Sequence, residues 1–208
     1  MTTIIEAVKE ARFFMRITEA EKAKNRALII ETASRLFRER GVGRVSIADL
    51  MREAGFTHGG FYNHFASKEA LTAAVCELGL AVGNANFEDS MSREGPDAVW
   101  KRYVEDYLSP AHRDGPATGC TLGALLGEVA HETSEVQCGM LRGTEESVRL
   151  TACYFARRYR LGEEAARRRA IAAWTQMLGA LSLSRAVVKA DRAFADEILA
   201  VCREQLTR

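Results

Sequence analysis

The spacing of glycine stops and helix caps in residues 25 to 68 constrains this chain most, because it permits only short helices joined by tight turns. Between positions 25 and 40, apolar residues recur at the spacing of one helical face, at Ile29, Ala33, Leu36 and Phe37. Gly41 follows them, and a glycine at this place can adopt the positive φ that ends a helix. The first helix is therefore predicted from Asn25 to Arg40. Val42 is then placed to contact Phe37, as in a Schellman motif.

A second helix of about two turns is predicted to begin at Ser46. Ser46 is a favourable N-cap residue, and Asp49 follows three residues later in a capping-box-like spacing. Its apolar face consists of Ile47, Leu50, Met51 and Ala54. Gly55 repeats the stop signal, and Phe56 is placed to contact Met51.

Thr57 can cap a third helix at once, which leaves the very tight turn of a helix-turn-helix over roughly residues 46 to 65. Phe61 and Phe65 lie four residues apart on the inner face of this third helix. Ser67 is placed to cap the helix that follows.

The outward face of the third helix is unusual for a solvated helix. It carries His58, Gly59, Tyr62 and Asn63, and no acid occurs from position 54 to position 67. A carboxylate pressed against phosphates would be repelled and desolvated. Gly59 and Gly60 each cost about 1 kcal/mol relative to alanine in a helix, and close approach of another molecule would justify them. The alternative is a simple loop with Tyr62 and His64 as packing residues, and the residues alone leave both open.

Charge distribution favours the same end of the chain. The net charge is +1, but residues 16 to 68 carry ten Lys and Arg against six Asp and Glu. This surplus is a weak signal alone, because solvated helix faces often drift that far. Hydrophobic residues at 47%, charged residues at 27% and only 3 prolines indicate a folded globular chain.

Cysteine usage and hydropathy predict a cytoplasmic protein. The five cysteines form no CxxC pair and no Cys/His cluster, which favours reduced thiols and no metal site. Outside the helix-turn-helix, the longest stretch without a charged residue is Ala170 to Ser184, shorter than the ~20 residues that span a bilayer. The first fourteen residues lack the apolar core of a secretion signal.

Beyond residue 70 the pattern predicts helices throughout, at about 67 to 90, 96 to 109, 119 to 132, 134 to 160, 163 to 189 and 191 to 207. No alternating strand pattern of useful length occurs. The fold class is therefore predicted to be all-α, with about nine helices.

The run RALIIETASRLFRERGVGRVSIADLMREAGFTHGGFYNHFASKEAL, from Arg26 to Leu71, resembles the DNA-binding domain of the TetR (tetracycline repressor) family. Its most specific part is AGFTHGGFYNHFASKEAL. The resemblance implies a homodimer whose third helices enter successive major grooves of a pseudo-palindromic operator, in half-sites about 34 to 36 Å apart or a multiple of that. It further implies a repressor that releases double-stranded DNA on binding a small-molecule inducer, without a cofactor.

The resemblance also assigns roles along the DNA face. Phosphate contacts fall to Arg44, Ser46, Thr57, Tyr62, His64 and Lys68. Base readout falls to His58, Gly60 and Asn63, with Gly59 permitting close approach. Family members often have Lys or Arg at the His58 position and Thr, Ser or Ala at the Gly60 position, so the bases that are read stay open. Arg16, Lys22, Lys24 and Arg26 form either a basic lead-in that touches the DNA backbone or minor groove, or a solvated helix start.

Three regions follow from the resemblance: an N-terminal extension and basic lead-in (1–24), the helix-turn-helix domain (25–70), and a helical ligand-binding and dimerisation domain (71–208). We assign no function to residues 1 to 14, which a misplaced start codon would explain. The expected dimer interface uses the last two helices, through Leu178, Gly179, Ala180, Leu181, Ala186, Val187, Phe194, Ile198, Val201 and Leu206. A purely intramolecular core would show the same periodicity, so this expectation depends on the resemblance. The expected inducer pocket is lined by Trp100, Tyr103, Tyr107, Leu122, Leu126, Phe155, Trp174 and Met177, fewer than half of which should touch a ligand.

Cys120 is a candidate thiol sensor of electrophiles or oxidants, because it opens a helix and helix N-termini make thiols more reactive. Free cysteine is more often a small buried apolar residue, and no Arg, Lys or His lies within four residues of Cys120 along the chain.

Two other functions compete with regulation. The sequence does not support an enzymatic function. His112 and His131 lack metal-site spacing, and no GxSxG or phosphate-loop motif occurs. Glu128 and Glu132 are interpreted as a solvated or salt-bridged helix face. A nucleoid protein that ignores sequence should be broadly basic rather than basic at one end. The sequence therefore predicts a regulator without catalytic residues.

Overall fold

The computed structural model describes residues 18–94 and 96–208, and every regular element in them is a helix. The N-terminal elements are α1 (Glu19–Arg40), α2 (Ile47–Glu53), a 3₁₀ helix (His58–Asn63) and α3 (Lys68–Glu94). The remaining elements are α4 (Pro96–Tyr107), α5 (Pro110–Asp114), a 3₁₀ turn (Pro116–Thr118), α6 (Thr121–Val129), α7 (Ser134–Tyr159), α8 (Glu163–Val187) and α9 (Arg192–Thr207). The all-α prediction is confirmed. Helix α5 and the 3₁₀ turn lie within residues 110–118, where no helix was predicted. The N-terminal extension and Arg16 lie outside the described residues.

Capping sets the start of α1. The Thr18 hydroxyl accepts a hydrogen bond from the Glu21 N–H at 3.1 Å, and the Glu21 carboxylate accepts one from the Thr18 N–H at 2.9 Å. This capping box satisfies two N–H groups that a helix start leaves free. The helix therefore begins before the predicted start at Asn25.

The two glycine stops behave differently. Gly55 has φ +81°, and the Phe56 N–H donates to the Met51 carbonyl at 2.7 Å, as the predicted Schellman stop requires. Gly41 also has a positive φ of +85°, but the Val42 N–H does not return to α1. It donates instead to the Glu128 carboxylate at 2.7 Å. The first turn, which joins α1 to α2, is thus closed by a residue of α6. Local sequence signals do not indicate such a distant partner.

Two aromatic rings hold the third helix in place. Phe61 is fully buried and Phe65 is 4% exposed, with their ring centroids 5.7 Å apart. The Arg26 guanidinium of α1 lies 4.7 Å from the Phe65 ring centroid. The third helix is therefore anchored by its inner face, as predicted, and its other face is left outward.

Helices α3 and α7 pack along each other in the larger part of the molecule, which consists of the helices from α3 to α9. A Cβ at Gly139 would lie 2.5 Å from the Ala73 carbonyl oxygen, so this crossing needs glycine. The buried Ser147 hydroxyl donates to the Asn84 side chain at 2.7 Å across the same contact. Close approach and a satisfied polar pair together fix the position of α3.

By length and composition, α3 could cross a membrane, with a mean hydropathy of 1.2. The short length of the uncharged stretches had predicted no membrane-spanning segment, so this result differs from the expectation. A window in which 44% of residues are buried, and the packing against α7, are what a core helix shows.

A buried arginine joins α5 to α9. The side chain of Arg113 is fully buried and donates to Asp114 at 2.7 Å and to Asp196 at 2.5 Å. Hydrogen bonds to Asp114 and Asp196 raise the pKa of Arg113. The bond from Arg113, followed by that from Arg192, lowers the pKa of Asp114 to about 2. Arg192 adds a surface contact to Asp114 at 3.2 Å.

Candidate functional site

The outward face of the third helix is solvent-exposed and free of acids. Its exposed residues are Thr57, His58, Gly59, Tyr62 and Asn63, and Arg44 and Ser46 are exposed nearby. Tyr62 is 59% exposed and rests edge-on against the buried Phe61 ring at 5.3 Å. A tyrosine held upright in this way presents its hydroxyl to a partner at low entropic cost.

The third helix is a 3₁₀ helix rather than the α-helix expected from its spacing. The Thr57 carbonyl accepts the Gly60 N–H at 3.0 Å, whereas the Thr57 hydroxyl makes no capping bond. Thr57 therefore occupies the predicted N-cap position without using its side chain as a cap.

Neither glycine in the third helix is required by the fold. Gly59 and Gly60 lack a positive φ. A Cβ at Gly59 would meet nothing within 4 Å, and one at Gly60 would make ordinary contacts at 3.5 Å or more. Internal packing therefore gives no reason for either glycine.

Two predicted phosphate contacts point partly inward. Lys68 Nζ donates to the Val42 carbonyl at 2.6 Å and lies 6.0 Å from the Phe37 ring centroid. His64 Nδ1 is buried without a hydrogen-bond partner among the described residues. Burial lowers the pKa of His64, and the nearby charges of Lys22 and Arg26 lower it further. Both side chains thus help to shape the domain.

Ser46 and the basic lead-in complete this surface. The Ser46 hydroxyl accepts the Asp49 N–H at 3.0 Å and donates to the Asp49 carboxylate at 2.6 Å, which confirms the predicted cap of α2. The exposed side chains of the lead-in on α1 are Lys22, Lys24 and Arg26.

A cavity of about 1130 Å³ lies between α1 and the helices of the larger part. Of the eight predicted pocket residues, Tyr103, Tyr107 and Trp174 line it. The four others that are buried belong to the core instead: Trp100, Leu122, Phe155 and Met177. Leu126 is 43% exposed on the surface. Most of the aromatic and apolar candidates are thus residues of the hydrophobic core.

The cavity wall includes residues from α1, among them Ile30, Ser34 and Arg38. The Arg38 guanidinium donates to the Ala117 carbonyl at 2.9 and 2.6 Å. Because α1 belongs to the helix-turn-helix domain, an occupant of the cavity would touch that domain directly. Sequence reasoning missed these residues, since their contacts join positions about 80 apart along the chain.

Glu128 joins the larger part to the helix-turn-helix. Its carboxylate accepts the Val42 N–H at 2.7 Å, and a Cβ at Gly41 would lie 2.6 Å from Glu128 Oε1. The sequence indicated a solvated or salt-bridged position for Glu128. Its carboxylate instead accepts a backbone hydrogen bond from another part of the chain. Glycine at position 41 both allows the positive φ and makes room for this carboxylate.

Glu128→Ala is expected to destabilise the first turn by about 1–3 kcal/mol, because the buried Val42 N–H loses its acceptor. Amide hydrogen exchange at Val42 should accelerate accordingly. Glu132→Ala is the matched control, since Glu132 lies outside α6 and the Val42 bond stays. Equal exchange at Val42 in both variants would contradict this role of Glu128.

The last two helices expose an apolar face. Within the expected dimer set, Leu178, Ala180 and Leu181 are buried in the chain's own core. The exposed large apolar residues of α8 and α9 are Ile171, Leu183, Phe194 and Val201. Gly179 is exposed, with open space where a Cβ would stand.

Comparison with known proteins agrees with the geometry of the N-terminal part. Residues 29–75 match the family described as "Bacterial regulatory proteins, tetR family". The chain is 35% identical over 93 residues to the uncharacterized HTH-type transcriptional regulator YerO of Bacillus subtilis, covering 41% of this chain and 32% of YerO. It is 43% identical over 63 residues to the HTH-type transcriptional regulator TtgR of Pseudomonas putida, covering 30% of each. The matched region thus spans about a third of each relative.

Solved structures share the fold over most of the chain. The reduced form of E. coli NemR has a TM-score of 0.69 at 21% identity, covering 88% of this chain and 95% of that one. FadR from Bacillus subtilis, solved in complex with stearoyl-CoA, has a TM-score of 0.64 at 13% identity, covering 87% and 97%. At these identities the likeness concerns the fold alone.

Proposed function

Because the chain belongs to the TetR family of bacterial regulatory proteins, we propose that it is a ligand-responsive transcriptional repressor acting in the cytoplasm. It binds an operator as a homodimer and releases it when a small molecule occupies the cavity. The observation that carries this proposal is the exposed, acid-free face of the third helix, with two glycines that internal packing does not require. Its action is binding rather than catalysis, in keeping with relatives named as transcriptional regulators.

On the DNA, the third helix enters the major groove. His58, Gly60 and Asn63 face base edges, and Gly59 lets the backbone approach. Hydroxyl and basic groups position the protein on phosphates, through Arg44, Ser46, Thr57, Tyr62, His64 and Lys68. Because so few side chains reach bases, part of the specificity comes from DNA shape.

Dimerisation uses the exposed apolar face of α8 and α9. Phe194 and Val201 lie seven residues apart on one side of α9, and Gly179 lets a second α8 approach closely. Two copies related by a two-fold axis present their third helices to half-sites about 34 to 36 Å apart or a multiple of that.

The inducer binds in the cavity of about 1130 Å³, which is large enough for an ordinary small-molecule ligand. Its wall contains Ile30, Ser34 and Arg38 of α1. A ligand there changes contacts of the helix-turn-helix domain without a long chain of intermediates. FadR shows that a protein of this fold can hold an acyl-CoA ligand.

Genomic pull-down followed by footprinting tests the proposal. The expected result is a small set of enriched sites, each protected as two inverted half-sites by a dimer. Protection spread evenly over all DNA would favour a nucleoid protein instead. Absence of binding to any genomic fragment at low salt would contradict a DNA-binding function, since phosphate contacts are strongest there.

A further inference from the structure

The N-terminus of α6 places a thiol in the cavity wall beside positive charge. Cys120 is the N-cap residue of α6 and lines the cavity. Arg38 and Arg185 are both about half-buried, and each interacts electrostatically with Cys120. Arg38 donates to the Ala117 carbonyl, and Arg185 donates to the carbonyls of His112, Arg113 and Gly123, all of which are uncharged acceptors. Basic residues absent from the neighbouring sequence are thus supplied by α1 and α8, and they would stabilise negative charge that develops in this part of the cavity.

A buried phenol next to Cys120 has no oxygen or nitrogen acceptor among the described residues. Tyr107 lines the same cavity and is 5% exposed, yet its hydroxyl makes no conventional hydrogen bond with the residues that the structure describes. Burial and the adjacent Cys120 raise the pKa of Tyr107, so it stays a neutral donor. A buried hydroxyl without an acceptor costs free energy. A ligand oxygen next to the thiol would supply an oxygen acceptor, which is stronger than a sulfur.

We propose that Cys120 is the attachment site for a small α,β-unsaturated carbonyl compound that enters the cavity, which makes covalent modification the trigger of the proposed repressor. The Cys120 sulfur forms a bond to the β-carbon, and the π electrons of the alkene shift toward the carbonyl oxygen. The Tyr107 O–H donates a hydrogen bond to that oxygen. The proton that the thiol has lost to water is returned to the α-carbon, so no oxidant or reductant is needed.

An electrophile fits the wall better than an oxidant does. Cys120 is the only cysteine among the residues that line the cavity, so the wall offers no second thiol for a disulfide. Tyr107 matches a ligand that carries an acceptor oxygen close to its reactive carbon.

Helix α6 connects this site to the helix-turn-helix at both ends. At its start, the Cys120 N–H donates to His112 Nε2 at 3.0 Å, and Arg38 donates to the Thr121 hydroxyl at 3.4 Å. In its last turn, Glu128 holds the Val42 N–H. An adduct on Cys120 that displaces α6 therefore disturbs contacts to α1 and to the first turn together, which favours the state that does not bind DNA.

The test treats the full chain with but-3-en-2-one and follows adducts by peptide mass spectrometry. Cys138 and Cys153 are exposed and provide an internal comparison. Modification of Cys120 is expected to be at least about 10-fold faster than that of either, because Tyr107 and the two arginines stabilise the negative charge that develops on the ligand oxygen. Tyr107→Phe should slow it by about 10-fold, since one donor to the developing charge is lost. Faster labelling of Cys138 or Cys153 would overturn the proposal, as would an unchanged rate in Tyr107→Phe.

A second readout uses operator DNA recovered by pull-down, with butan-2-one as the saturated control. But-3-en-2-one is expected to weaken binding by the wild type at least about 10-fold and to spare Cys120→Ser. Cys138→Ser should respond like the wild type. Release by butan-2-one, or equal release from Cys120→Ser, contradicts a covalent trigger. If the untreated protein binds no specific DNA, the proposed repressor function fails, while the labelling rates still decide the reactivity of Cys120.

Discussion

Replacing Gly59 by glutamate is expected to weaken operator binding by at least about 100-fold, because a carboxylate among phosphates is repelled and desolvated. The fold should be unaffected, since a Cβ at Gly59 meets nothing within 4 Å and the backbone there has no positive φ. Glutamate is also the better helix former. Fluorescence anisotropy on operator DNA measures the affinity, and urea unfolding measures the stability.

Gly127→Glu is the matched control for this experiment. Gly127 is exposed on α6, its Cβ would also stand in open space, and the change adds the same charge. It lies outside the helix-turn-helix, so affinity should fall less than about 3-fold, by general repulsion alone. Similar losses in both variants, or retained binding by Gly59→Glu, would remove the third helix from the DNA interface.

Replacing Arg113 by alanine is expected to lower the free energy of unfolding by about 2–4 kcal/mol. The fully buried guanidinium joins Asp114 of α5 to Asp196 of α9, and its removal leaves a void, an unpaired Asp196 and an Asp114 that keeps only its surface contact to Arg192. The cost stays below that of a fully buried pair, because both carboxylates keep access to water. Urea unfolding at a single protein concentration measures the loss, since a dimer's stability depends on concentration.

Arg192→Ala provides the comparison, because Arg192 binds the same Asp114 from the surface at 3.2 Å. Its loss should cost less than about 1 kcal/mol. The pKa of Asp114 is lowered to about 2, chiefly by its hydrogen bond to Arg113. The contribution of this pair is therefore fully present above about pH 4 and declines as the pH falls toward 2. A difference between wild type and Arg113→Ala that grows on acidification would contradict this assignment.

Local signals predicted the helix-turn-helix correctly because they act over three to six residues. Ser46 caps α2 through the Asp49 N–H, and Gly55 ends it with the Phe56 bond back to Met51. Such bonds depend on neighbours in the sequence, so residue types and spacing are sufficient to predict them.

Sequence signals did not predict contacts between distant residues. Lys68, assigned to phosphate by the resemblance, also donates to the Val42 carbonyl. Glu128 was interpreted as part of a solvated or salt-bridged helix face, but it holds the Val42 N–H. The cavity was assigned to aromatic residues of the larger part, yet Arg38 of α1 forms part of its wall. The apolar periodicity of a helix does not indicate which other helix its ends contact.

The sequence by itself determined the helical class, the helix-turn-helix and its outward residues, because caps, glycine stops and apolar periodicity are local properties. Only the tertiary structure decided that α6 contacts the helix-turn-helix at both ends and that Cys120 lies beside Arg38, Arg185 and Tyr107. These neighbours are brought together by the packing of separate helices. Contacts between residues about 80 apart depend on crossing geometry, which the order of residues along one helix does not contain.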